Sequence, residues 1–134
     1  MERYIITDAG SAARDNMMRG IDWLIAHGGG TVASDSREVI QRMLGFETGA
    51  DVDAFFHRFR DQKVKFGHMR RGLPYKGNVV AAFTSDGILR MLDNRPGIER
   101  LLVLEGSDRD TRWWIGRRRP EELPGAEPVE ADRS

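Results

Sequence analysis

Cysteine is absent from this 134-residue chain, which excludes disulfides, thiolate zinc sites and cysteine nucleophiles. Long apolar runs are missing too. The opening MERYIITDAGS holds three consecutive apolar residues, too few for the core of a signal peptide. No segment approaches the roughly 18 to 20 apolar residues that cross a bilayer. These absences predict a cytoplasmic protein with no membrane partner. Lysine is scarce as well, at three of 21 basic residues, a skew that genome composition alone produces. Arginine abundance is therefore no argument for any particular partner.

Several catalytic signatures are also lacking. The turn Asp8-Ala9-Gly10-Ser11 has no G-x-G-x-x-G to bring backbone against a pyrophosphate, and no G-x-x-x-x-G-K-[ST] occurs. Neither Ser11 nor Ser85 stands in a G-x-S-x-G elbow, which disfavours a serine hydrolase. His27, His57 and His68 share no metal-ligand spacing, so no metal site is expected from them.

What remains is an ordinary globular composition, 40% apolar and 31% charged, at the usual length of one domain. Residues 1–119 read as that domain. Residues 120–134, with three prolines and five acidic groups against one arginine, read as a disordered or loosely attached tail.

Apolar periodicity supplies the elements. Tyr4–Thr7 reads as a strand. A helix follows from about Ser11, with Ala13, Met17, Ile21, Leu24 and Ile25 on one face, and closes at Gly28-Gly29-Gly30. Thr31–Ser34 reads as a second strand. Asp35-x-x-Glu38 fits a capping box for a short helix that Gly45 stops. Val52, Phe55, Phe56 and Phe59 mark a third helix behind the cap candidates Thr48 and Asp51.

Lys63–Met69 alternates as a strand, Asn78–Phe83 is another, Thr84-Ser85-Asp86-Gly87 opens a helix, and Leu101–Leu104 is a buried strand. Trp113 and Trp114 fall in a segment read as an antiparallel edge strand, which would expose one of the two rings. The order predicts an α/β fold. It is a shortened Rossmann-like or flavodoxin-like three-layer sandwich with a mixed, mainly parallel sheet.

Two candidate surfaces follow. In open α/β sheets ligands bind beyond the carboxyl ends of the strands, where helix N-termini favour phosphate. The residues placed there are Asp8, Gly10, Ser11, Asp35, Ser85 and Asp86. Helix capping explains the same residue types equally well. The second surface comes from charge: residues 57–76 carry seven basic groups and one acidic, whereas 1–56 carry five and nine. Its members are Arg58, Lys63, Lys65, Arg70, Arg71 and Lys76, interleaved with Phe66 and Tyr75, and a second patch adds Arg112, Trp113 and Trp114. Cations beside aromatic rings suit single-stranded nucleic acid or a protein partner, including a second copy of the chain.

The acidic strand edge, with Asp8 after the first strand, resembles the layout of small magnesium-dependent nucleases such as the PIN-like domains. That resemblance implies a magnesium ion held by aspartates. The strand-rich stretch 63–83 departs from the mainly helical middle of that class. The leading expectation is a non-catalytic binding module for a phosphorylated or nucleotide-like ligand, or for a protein partner, with no cofactor. The alternatives are a nucleic-acid-binding module and a magnesium-dependent nuclease or phosphoesterase.

Overall fold

A computed structural model describes residues 1–7, 12–68, 75–106 and 111–123. Six strands, β1 (Glu2–Ile6), β2 (Gly30–Ser34), β3 (Val64–His68), β4 (Gly77–Ala82), β5 (Ile98–Leu104) and β6 (Glu121–Glu122), form one sheet in the order β3-β2-β4-β5-β1-β6. Every pairing is parallel. The central strands carry Val79–Ala82 and Leu101–Leu104, all buried, as expected of parallel strands covered on both faces. The molecule is a three-layer α/β sandwich of the Rossmann-like or flavodoxin-like kind.

Helices divide between the faces. Helices α1 (Ala13–Ala26), α2 (Arg37–Leu44) and α3 (Gly49–His57) place Met17, Ile21, Leu24, Val39, Ile40, Val52, Phe55 and Phe56 against Val32, Val80 and Leu102. Helices α4 (Asp86–Asp93) and α5 (Arg112–Arg118) place Leu89, Leu92 and Trp114 against Ile5, Val79 and Leu101. The period-two alternation of the strands thus feeds two separate cores. At Gly30 the layers pass so closely that a β-carbon would collide with the Asn78 carbonyl and with Leu24.

Local signals set most element ends. Ser36 and Ser85 cap α2 and α4 by accepting from the Val39 and Ile88 amides, and Thr48 with Asp51 forms a reciprocal capping box on α3. Gly45, left-handed at φ 75°, closes α2. Asp35 is not the α2 cap; that role belongs to Ser36.

Residues 112–118 form helix α5, not an antiparallel strand, so the described sheet is parallel throughout. Adjacent residues lie about 100° apart around a helix, whereas a strand sends them to opposite faces. Trp114 is therefore wholly buried, and half-buried Trp113 packs beside it under the Arg90 guanidinium, 3.9 Å from the ring centre. Neither ring is the exposed one the strand assignment required. The fold also continues beyond Arg119. Glu121 and Glu122 pair with Tyr4 and Ile5, and Leu123 packs against the core. Residues 124–134 lie outside the described residues.

Candidate functional site

Because every strand runs the same way, the ends of β1, β2, β3, β4 and β5 share one edge of the sheet. Strands β2 and β4 are neighbours there, yet the chain leaves β2 for α2 on one face and β4 for α4 on the other. This is the topological switch at which open α/β sheets bind ligands. Asp35 follows β2 and Ser85 follows β4. Asp35 Oδ1 accepts a hydrogen bond from the Ser85 amide at 2.9 Å, which ties the two diverging loops together. Each loop then starts a helix, and the first amides of a helix have no carbonyl ahead of them in the same helix to receive them.

Three further features mark this edge. Phe83, buried between β4 and Ser85, adopts the left-handed conformation at φ 55°, which is costly for a bulky residue and re-aims the chain into Thr84 and Ser85. The hydroxyl of Ser34, the last residue of β2, is wholly buried and has no hydrogen-bond partner among the described residues. The same holds for the amide oxygen of Asn16, one turn into α1 and on the same face of the sheet. Orphaned polar atoms of this kind cost about 1–3 kcal/mol each.

Of the ligand-binding residues read from sequence, Asp35 and Ser85 are brought together, and Asp86 lies next to them but is exposed and paired with Arg90 at 2.9 Å. Asp8, Gly10 and Ser11 lie outside the described residues.

The basic residues separate. Lys63 and Lys65 line a groove of about 410 Å³ along β3, the strand at the sheet's edge, together with Asp53, Phe56, His57, Arg60, Val64 and Phe66. Its floor holds the parallel ring stack of Phe56 and Phe66, with centres 4.9 Å apart and planes within 6°. Arg58 lies over Phe55 and Phe59 instead. Lys76 precedes β4, two strands further in, beside Gly97. Tyr75 is buried and donates to the Gly67 carbonyl at 3.0 Å, so its ring is not a stacking platform. Arg112, Trp113 and Trp114 sit on α5 against the other face, apart from this groove. Arg70 and Arg71 lie outside the described residues.

No family model, curated protein or solved structure matches this chain. Function therefore rests on the geometry alone.

Sequence reading missed one polar centre, at the opposite end of the sheet. Asp93, the last residue of α4, accepts from Arg3 Nε at 2.7 Å, Trp114 Nε1 at 2.9 Å and Arg118 Nε at 2.9 Å. Burial alone would raise its carboxyl pKa, but these three donors outweigh it and hold the group below the ordinary value of 3.8. This cluster bolts α4 and α5 to β1. Its donors are all committed to the fold, so it offers nothing to a ligand.

Proposed function

We propose that this protein is a non-catalytic α/β binding module that holds a small phosphorylated ligand in the crevice between β2 and β4. The observation that carries this reading is the bond between Asp35 Oδ1 and the Ser85 amide at the topological switch. It fixes the spacing of two loops whose helices, α2 and α4, both present their N-termini to the same edge. A phosphate is favoured at such termini by free amides and by the helix dipole. Asp35 is half-exposed and uses Oδ1 for the Ser85 amide, so its carboxylate keeps acceptor capacity for a hydroxyl such as that of a ribose or sugar.

The left-handed Phe83 and the orphaned Ser34 and Asn16 lie at this same edge and agree with the reading, while Arg95 Nε and Trp113 Nε1 are orphaned, and Lys63 and Arg119 left-handed, away from it. No observation favours the hydrolase alternative, since Asp35 is tied to Ser85 and Asp86 to Arg90.

Titration calorimetry against nucleoside mono-, di- and triphosphates and sugar phosphates tests the proposal. At least one should bind, and Asp35→Asn should weaken it about tenfold, the effect of losing roughly 1.4 kcal/mol. The asparagine oxygen can still accept from Ser85, so the loops stay joined. A panel in which nothing binds, or binding indifferent to Asp35→Asn, contradicts it.

A further inference from the structure

The face of the sheet that carries α4 has a cationic spot at its amino end, away from the β2–β4 crevice. Arg95, in the turn from α4 to β5, lies over the Tyr75 ring, 5.9 Å from its centre. Lys76 follows Tyr75 and packs beside Gly97, where an added β-carbon would come within 3.3 Å of Lys76 Cβ. The Gly77 amide donates to the Gly97 carbonyl at 2.9 Å, which joins the two turns. Arg95 and Lys76 thus stand on adjoining turns around one buried tyrosine.

Lys65 adds charge on the same face. Val64 and Phe66 join the opposite core, so the residue between them faces this one, two positions before the Gly67 carbonyl that takes the Tyr75 hydroxyl.

Arg95 gives the sign of a ligand. It is half-buried, and its Nε is wholly buried with no hydrogen-bond partner. Among the described residues, Arg95, Lys76 and Lys65 form no ion pair. Asp93, two residues before Arg95, is saturated by Arg3, Trp114 and Arg118, and Glu99 is exposed and unpaired with any of the three cations. A charge drawn out of water costs free energy unless an opposite charge or an acceptor meets it. Here the fold supplies an aromatic ring and no counter-charge.

We infer that Arg95 and Lys76 form a site for a small phosphate oxyanion, with Lys65 adding to the positive field. A guanidinium matches the paired oxygens of a phosphate, and a lysine beside it acts as a point charge. A multiply charged phosphate meets both cations at once, which a single carboxylate does less well.

Titration calorimetry of the full chain with inorganic pyrophosphate tests this. Pyrophosphate should bind, and Arg95→Gln should weaken it about tenfold or more and Lys76→Gln several-fold. Arg95→Lys, which keeps the charge and loses the paired donors, should fall between the parent and Arg95→Gln. Neither position is a core side chain, so the melting temperatures should hold. Arg58→Gln removes an exposed cation on the opposite face, over Phe55 and Phe59, and should change nothing. Absence of binding at about 50 mM salt overturns the inference, as does an equal loss in Arg58→Gln. Binding that Asp35→Asn weakens and Arg95→Gln leaves intact belongs to the β2–β4 crevice and overturns it too. Tetraglutamate bound as tightly as pyrophosphate would assign the cations to an acidic protein partner instead.

Discussion

The two ends of the sheet treat an aspartate in opposite ways. At the amino end Asp93 is buried and satisfied by three donors from β1 and α5, each within 2.9 Å. At the carboxyl end Asp35 is half-exposed and holds one backbone amide, one residue after the buried Ser34 hydroxyl, which has no hydrogen-bond partner among the described residues; Arg95 Nε, two residues past Asp93, has none either. Asp93 is saturated by donors of the fold and has no acceptor left to offer, whereas Asp35 keeps one.

The comparison can be broken most severely at Asp93. Asp93→Ala leaves two guanidiniums and an indole without their acceptor, and should cost about 3–5 kcal/mol in chemical denaturation. A loss under about 1 kcal/mol would show that the cluster does not hold the helices.

The same carboxylate should make the protein acid-sensitive. Its folded pKa lies below the ordinary 3.8, so the unfolded chain binds its proton first as pH falls. The stability it contributes is complete above that ordinary value and is lost as pH drops through the folded one. Melting temperature followed from neutral pH to about 3 should fall more steeply in the parent than in Asp93→Asn. Parallel curves would contradict the sign.

At the other end the effects should be smaller. Asp35→Ala frees the Ser85 amide at a half-exposed site, and should cost about 1 kcal/mol by denaturation. Ser34→Ala removes an orphaned hydroxyl and should leave stability unchanged or raise it by up to about 1 kcal/mol. A marked loss at Ser34 would mean that its hydroxyl is satisfied after all, which would blur the contrast.

Legibility in the sequence followed the range of each interaction. Caps act over three or four residues, and Thr48, Asp51 and Ser85 each stood next to the helix they start, while at α2 the cap fell on Ser36, one residue past the Asp35 that the sequence spacing indicated. The carboxyl-edge location of Asp35 and Ser85 was legible from the alternation of strands and helices, but their contact spans 50 residues and depends on β2 and β4 being neighbours. Asp93 carried no local sign at all. Its partners Arg3, Trp114 and Arg118 are 90, 21 and 25 residues away, so it reads simply as the end of an apolar helix. Trp113-Trp114 misled because aromatic residues favour strands, and packing beside α4 overrode that preference. In the basic run, charge identified the segment, while only the fold distinguishes the buried Tyr75 from the groove-lining Lys63 and Lys65.

The division between the two ends is tested most directly by the rise in melting temperature that phosphorylated ligands produce in the parent, Asp35→Asn and Asp93→Asn. The account predicts that some nucleotide or sugar phosphate stabilises the parent, that Asp35→Asn shrinks the rise, and that Asp93→Asn lowers the starting temperature without changing it. No rise with any ligand, or a rise abolished by Asp93→Asn but kept by Asp35→Asn, would contradict it.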